Sequence, residues 1–232
     1  NGQMDILNPK NDVKIIAETK DYIVVHKPPG LAVQSRRLTE KTLETILRSG
    51  SRELKFLSAV NRLDQPVEGI VLLAKNAKAA SYLTAQINSH NVIKEYLAVV
   101  DKEPRCRSGR LVDFLLKDGR SNLTGVVKEG TAGAKRAELE YTCEKVSDRG
   151  CLLRIRLYTG RHHQIRAQLS NAGFPIKGDR KYNPKSTEWA YPALCSCAVG
   201  FKEPGTGRRV YYETTPTGEA FAGLLTYGET DK

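Results

Sequence analysis

The chain lacks several patterns that mark large classes of protein. None of its apolar runs approaches the roughly 20 residues that a membrane-spanning helix needs. Five cysteines occur at irregular spacings, and the closest pair, Cys195 and Cys197, has one residue between its members. A zinc knuckle or a thiol redox motif has two residues there. We therefore expect no membrane span and no metal centre.

Acidic residues are also scarce relative to basic ones. The 232 residues include 26 Asp and Glu but 37 Lys and Arg, a formal net charge of +11. Such an excess favours an anionic partner, most commonly nucleic acid. The alternative is a basic soluble protein that binds no polyanion. The 40% hydrophobic and 27% charged content is that of an ordinary globular protein, so a folded core is expected.

The hydrophobic pattern predicts strands and helices without regular alternation, which indicates an α+β protein. A continuous apolar run at 70–74 predicts a strand covered on both faces, and Asn76 is placed to cap the helix that follows. A second helix is expected from about residue 163 to Gly173, with Ile165, Leu169 and Ala172 on its apolar face. Residues 101–135 are expected to form a protruding loop and hairpin. The other predicted elements are a helix at 42–47 and strands at 22–26, 93–100, 151–157, 195–201 and 209–213.

Three polar segments interrupt this pattern. In the first, Arg62 and Asp64 precede the buried strand, on a loop that Pro66 ends; the alternative is an ion pair on a solvated loop. In the second, alternation puts Lys94 and Tyr96 on one strand face. The alternative there is a tyrosine packed in the core, with its hydroxyl hydrogen-bonded.

The third segment, residues 161–166, has two Arg, two His and one Gln where a helix begins. Donors and positive charge beside a helix N-terminus suit a phosphate or a carboxylate. The adjacent His162 and His163 point to different sides of a helix or strand, so they do not form a metal chelate by themselves.

Taken together and in order, these segments resemble the motifs of the RluA-type RNA pseudouridine synthases. The family pattern of Arg-Leu-Asp followed by Gly and an apolar Ala-Lys run corresponds to residues 62–64 and 69–75. Further matches are residues 27–31, 94–98, 160–166 and 178–182. Departures from the pattern are Asn61 in place of His, Val67-Glu68 in place of Thr-Ser, and His162 in place of Thr.

The resemblance implies a mixed, largely antiparallel, bent central sheet with flanking helices and loops. It implies conversion of specific uridines to pseudouridine in ribosomal or transfer RNA, with the target base flipped out and no cofactor. Asp64 is then the catalytic carboxylate, acting as nucleophile, base or electrostatic stabiliser. Arg166 orients it, and the ring of Tyr96 packs against the base.

The further expectations concern RNA contacts and organisation. Candidate RNA-binding residues are Arg62, Lys94, Arg154, Arg156, Arg161 and His162. We expect one catalytic domain over residues 1–232, with a core at about 15–213 and no separate RNA-binding domain, in a monomeric, cytoplasmic protein. Two rivals are an inert RNA-binding module and a hydrolase using His163 with an acid. Binding alone has no need of Asp64, and the chain has no Gly-x-Ser-x-Gly elbow of the kind that hydrolase nucleophiles occupy.

Overall fold

A computed structural model describes residues 13–35, 39–49 and 54–225. The fold class is α+β, with mixed, largely antiparallel β-structure and α-helices, as predicted. The chain divides into two compact units. Apart from the gaps just given, the first unit comprises residues 13–92 and 196–215, and the second comprises residues 93–195 and 216–225.

The first unit is built around the strand that the apolar run predicted. Its strands are ordered β1-β2-β4-β10, with β3 paired to β4 and β11 paired to β10. The elements are β1 (Lys14–Glu18), β2 (Tyr22–Lys27), α1 (Leu43–Ser49), β3 (Ser58–Ala59), β4 (Glu68–Ala74), α2 (Ala77–Asn88), most of β10 (Leu194–Lys202) and β11 (Arg209–Glu213).

Every residue of β4 is buried, which confirms a strand covered on both faces. Helix α2 follows at once because the side chain of Asn76 accepts a hydrogen bond from the Ala79 amide at 2.8 Å, as predicted for an N-cap. Ala79 and Leu83 of α2 are buried in a cluster with residues of β2, β4 and β10. This packing covers Ile70, Leu72 and Ala74 of β4 with the apolar face of the helix.

The second unit is an antiparallel array of five strands in the order β5-β9-β8-β6-β7. Strands β6 and β7 form the expected hairpin, whereas the long strand β8 was not predicted. The elements are β5 (Ile93–Val100), β6 (Ser108–Asp118), β7 (Leu123–Val127), β8 (Lys135–Ser147), β9 (Gly150–Leu157), α3 (Gln164–Asn171) and a 3-10 turn at Glu219–Phe221.

Helix α3 is more buried than its sequence suggests. Ile165 and Leu169 are buried as predicted, but Ala172 is an exposed C-cap residue, which corrects its assignment to the apolar face. All six residues from 164 to 169 are buried, including two Gln and one Arg. Gly173 follows with φ +89°, the left-handed conformation that ends a helix. A polar helix can be buried in this way only if its side chains find hydrogen-bond partners.

Candidate active site

Asp64 lies in a tight turn that leads directly into β4. Its carbonyl accepts a hydrogen bond from the Val67 amide at 3.0 Å, which closes a four-residue turn, here called the Asp64 turn (residues 64–67). The Asp64 side chain is half-buried, whereas Arg62 is exposed. The turn therefore presents a carboxylate at the edge of a fully buried strand, as the sequence predicted.

The Asp64 turn is tied to the segment 27–30, here called the Lys27 loop. Gly30 donates its amide to the Gln65 carbonyl at 2.8 Å, and the Gln65 side chain returns a hydrogen bond to the Gly30 carbonyl at 3.1 Å. The Lys27 ammonium donates to the same Gln65 carbonyl at 3.1 Å and to the Pro28 carbonyl at 2.9 Å. Three of these hydrogen bonds join the Lys27 loop to Gln65, the residue directly after Asp64, and the fourth lies within the loop.

Lys27 lies beside the Asp64 turn and was not among the site residues predicted from the sequence. It is 0% exposed, which is rare for a lysine. Burial lowers the pKa of Lys27 to about 7, against the opposing pull of the Asp64 and Glu68 carboxylates. The available signal was its place at the head of the Lys-Pro-Pro-Gly segment, where two prolines fix the chain direction.

Two departures from the family pattern have structural explanations. The Asn61 side chain forms hydrogen bonds with the backbone of β4, as a neighbouring strand would. It donates to the Ile70 carbonyl at 3.2 Å and accepts from the Leu72 amide at 2.7 Å. Glu68 is buried at the start of β4, and its carboxylate lies 3.2 Å from His26 Nε2. Glu68 is thus part of a strand and faces His26.

Gly69, which follows Glu68, is required for steric reasons. Gly69 has φ +122°, and a Cβ placed there would lie 2.3 Å from the carbonyl oxygen of Ser196. Any other residue would push β4 away from that backbone. The glycine of the motif therefore sets how closely the strand behind the Asp64 turn can pack.

Tyr96 and Lys94 lie on β5 of the second unit. Tyr96 is 9% exposed and pairs in register with Ile155 of β9. Lys94 is half-buried, and burial, followed by the positive charge of Arg161, lowers its pKa. The strand predicted at 93–100 is confirmed, and residues two apart on a strand, such as Lys94 and Tyr96, share a face.

Arg166 forms a buried two-point ion pair with Asp179. The guanidinium Nε and Nη2 lie 2.7 Å from Oδ2 and Oδ1 of the carboxylate. Arg166 is 3% exposed and Asp179 is 0% exposed. A Cβ at the preceding Gly178 would lie 2.4 Å from the Tyr191 carbonyl, so glycine is required for the turn that carries Asp179. A planar guanidinium matched to a carboxylate in this way has a fixed orientation.

A hydrogen-bonded cluster surrounds the start of α3, here called the Tyr182 network (Thr124, His162, His163 and Tyr182). The Tyr182 hydroxyl lies 2.8 Å from the Thr124 amide and 2.8 Å from His163 Nδ1. His162 Nδ1 lies 2.8 Å from Thr124 Oγ1, and the two imidazoles stack at 3.7 Å. The network joins β7 to the helix that carries Arg166.

The basic candidates on the strands of the second unit occupy different environments. Arg154 is paired with Glu95 at 3.5 Å and with Glu144. Arg156 is exposed, with its guanidinium 5.5 Å from the centre of the Tyr158 ring. Arg161 is half-buried and donates from Nε to a backbone carbonyl at 2.9 Å. Of the three, Arg154 is the one whose charge is already opposed by carboxylates.

The profile of the RNA pseudouridylate synthase family matches residues 21–171, which include Asp64, Tyr96 and Arg166. The chain belongs to this family. The family consists of isomerases, and the match confirms the RluA-type assignment made from the motifs.

Curated members of the family align over much of the chain. An uncharacterised RNA pseudouridine synthase of Bacillus subtilis, YlyB, is 30% identical in an alignment 231 residues long that covers 96% of this chain and 75% of YlyB. The ribosomal large subunit pseudouridine synthase C of Pasteurella multocida is 32% identical over 84% of this chain. That of Haemophilus influenzae is 33% identical over 74% of it. The aligned parts are 61% and 53% of those two relatives' own lengths.

Solved structures of pseudouridylate synthases share the fold. Human RNA pseudouridylate synthase domain containing 1 aligns with a TM-score of 0.74 at 20% identity, over 89% of this chain and 84% of that one. Domain containing 4 aligns with a TM-score of 0.72 at 19% identity, over 88% and 89%. The predicted fold class is thereby confirmed.

The candidate site residues of each unit can stabilise charge and position reacting groups. Among residues 13–35, 39–49 and 54–225, no group of three or more His, Cys, Asp or Glu side chains is arranged to hold a metal ion. No helix in the same ranges is long and apolar enough to cross a membrane. The arrangement does provide a half-buried carboxylate on a fixed turn, and buried cations whose orientations are set by hydrogen bonds.

Proposed function

We propose that this chain isomerises specific uridines to pseudouridine in ribosomal or transfer RNA, with Asp64 as the catalytic carboxylate. The relatives from Pasteurella and Haemophilus are named as synthases of the large ribosomal subunit, so large-subunit ribosomal RNA is the substrate to test first. We further propose that the residues act as one catalytic domain, as a cytoplasmic monomer without a cofactor.

The observation that carries the proposal is the immobilised Asp64 turn. Isomerisation breaks the C1′–N1 bond and forms a C1′–C5 bond, with no net redox change and no external group. A carboxylate held at the electron-poor sugar carbon serves this step as nucleophile or electrostatic stabiliser. Hydrogen bonds from the Lys27 loop to the Gln65 carbonyl limit the movement of the backbone next to Asp64, and such pre-organisation lowers the cost of reaching a reactive geometry.

The other roles follow the family motifs. The target base is flipped out of its stack, with Tyr96 packed against it and Arg166 orienting the carboxylate. Arg62, which is exposed two residues before Asp64, fills the vacated space or holds phosphates. Lys94, Arg154, Arg156, Arg161 and His162 are the proposed backbone contacts.

The decisive experiment is Asp64→Asn, because Asn keeps the shape and hydrogen-bonding capacity of Asp without its charge. We expect the variant to fold, to bind RNA as wild type does, and to form no detectable pseudouridine. Wild type and variant are incubated with unmodified large-subunit ribosomal RNA and transfer RNA, and pseudouridine is mapped by position.

A matched control is Asp148→Asn, since Asp148 is exposed in the turn between β8 and β9. This control removes the same charge and is expected to leave turnover unchanged. Activity in Asp64→Asn would show that another group acts on the sugar. If wild type modifies no cellular RNA, an inert RNA-binding module becomes the better description.

A further inference from the structure

Tyr182 contacts three parts of the second unit, and the proposed reaction gives it no role. Its hydroxyl meets the backbone of Thr124 on β7 and the imidazole of His163 before α3, both at 2.8 Å. Its ring lies under the Arg166 guanidinium, 5.1 Å from the guanidinium carbon to the ring centre. One side chain therefore contacts the hairpin, the helix N-terminus and the buried arginine.

Counting donors favours one arrangement of the protons at this junction. A phenol has one proton to donate and accepts through its oxygen lone pairs. The Thr124 amide can only donate, so the Tyr182 oxygen accepts from it. Burial raises the pKa of Tyr182, so the hydroxyl keeps its proton at neutral pH. That proton is satisfied when it is donated to His163 Nδ1, which leaves Nε2 as the protonated nitrogen of a neutral imidazole.

The backbone of His163 is in a conformation that needs such support. His163 has φ 50° and ψ 25°, in the left-handed region, and serves as the N-cap of α3 without a side-chain cap hydrogen bond. This conformation is unfavourable for a residue with a Cβ. Its ring packs edge-on against Tyr182 at 5.6 Å and stacks on His162. These contacts hold a strained residue three positions before Arg166.

The same tyrosine also belongs to the turn that holds Arg166. The Tyr182 amide donates to the Asp179 carbonyl at 3.1 Å, and the Tyr182 carbonyl accepts from Ser170 Oγ of α3 at 2.9 Å. Asp179 supplies the carboxylate of the two-point ion pair. Movement of Tyr182 would thus be transmitted to both partners of that pair.

We propose that Tyr182 is a positioning residue for the isomerisation, whose hydroxyl fixes His163 in the Nε2–H form and whose ring fixes Arg166. The proposal rests on the proposed function, because positioning has a measurable consequence only if Arg166 takes part in turnover. It adds a link from β7 of the β6–β7 hairpin to the helix that carries Arg166. A shift of the hairpin on RNA binding would be transmitted to Arg166 through the Tyr182 side chain.

The first test measures the histidine tautomer and does not depend on activity. The chain has four histidines, so long-range ¹H–¹⁵N spectra are simple, and the His163→Gln variant identifies the His163 signals by their loss. We expect the wild-type signals to show protonated Nε2 and unprotonated Nδ1 at neutral pH. In Tyr182→Phe, which keeps the ring, we expect a mixture of tautomers. Protonated Nδ1 in the wild type, or identical spectra in both proteins, would overturn the proposal.

The second test separates positioning from stability. Tyr182→Phe removes both hydrogen bonds of the hydroxyl and is expected to lower kcat about tenfold, with KM within about twofold of wild type. The control is Tyr141→Phe, which removes a phenol hydrogen bond to the Cys106 carbonyl at 3.3 Å in the same unit and is expected to leave kcat unchanged. Equal losses of kcat in both variants, or none in Tyr182→Phe, would contradict positioning. An inactive wild type would instead refute the proposed function and leave the tautomer test standing.

Discussion

The two units each bury a cation, but they stabilise it in different ways. In the first unit, the ammonium of Lys27 is fully buried and meets two neutral carbonyl oxygens, at 2.9 and 3.1 Å. In the second, the guanidinium of Arg166 is also buried but forms two 2.7 Å hydrogen bonds with the carboxylate of Asp179.

The difference shows which charge is permanent and which depends on pH. A guanidinium stays protonated in proteins, and its planar fork matches a carboxylate at two points. An ammonium held mainly by carbonyl dipoles pays a desolvation cost that such acceptors only partly offset. Burial accordingly lowers the pKa of Lys27 to about 7. Lys27 therefore acts as an anchor whose charge changes near neutral pH, whereas Arg166 is a fixed positive charge.

The largest expected effect comes from breaking the permanent pair. Arg166→Ala leaves the Asp179 carboxylate buried without its guanidinium partner, which typically costs about 3–5 kcal/mol of unfolding free energy. Most pseudouridine formation should be lost as well. Arg166→Lys should also be poor, because one ammonium cannot reproduce the fork. Urea unfolding and single-turnover assays measure the two effects; near-normal turnover in the Ala variant would show that Arg166 does not orient the catalytic group.

The next effect tests the pH-dependent anchor. The pKa of Lys27 is about 7 in the folded protein and 10.5 in its ordinary range, so between these values the unfolded chain binds more protons. The unfolding free energy of wild type should therefore rise with pH across this window. From pH 7 to pH 9 we expect a gain of about 2 kcal/mol from this group.

Lys27→Met should remove that rise while filling a similar volume. The exposed Lys20 provides a control, since Lys20→Met should keep the wild-type pH dependence. Urea unfolding at several pH values compares the three proteins. The same slope in Lys27→Met as in wild type would mean that another group titrates in this window.

A smaller effect distinguishes exposed from paired arginines in RNA binding. With a net charge of +11, affinity should fall steeply with salt, and each phosphate neutralised contributes about −0.7 to −0.9 to the log–log slope. Arg62→Ala should reduce the slope by about one phosphate contact. Arg154→Ala should change it less, because Arg154 is already paired with Glu95 and Glu144. Titrations of labelled RNA at several salt concentrations test this. If the affinity of wild type does not change with salt concentration, the basic residues do not bind RNA through its phosphates.

The smallest expected effect is that of chelation. If charge and positioning account for catalysis, exhaustive removal of divalent ions should leave turnover unchanged on RNA that stays folded. Turnover is measured before and after chelation, with RNA structure checked by melting. A loss restored by one specific divalent ion would show that neither cation described above is sufficient.

Local patterns predicted most of the secondary structure. The apolar run of β4, the Asn76 cap, the limits of β5 at Ile93–Val100 and the alternation of β9 depend on neighbouring residues, and each is confirmed. Strand β8 was missed although Ala137, Leu139, Tyr141 and Cys143 alternate along it. The charged residues that alternate with them, such as Glu138 and Glu144, form ion pairs and weaken the apolar signal that identified the other strands.

The sequence by itself determined the family, the order of its motifs and the carboxylate that we propose as catalytic, because these are carried by short contiguous segments. It did not reveal that Lys27 anchors the Asp64 turn, that Asp179 pairs with Arg166, or that Tyr182 holds His163 in place. Those contacts join residues 13 to 38 positions apart along the chain. Only the folded protein brings such groups to hydrogen-bonding distance in surroundings dry enough for the contacts to fix charge and orientation.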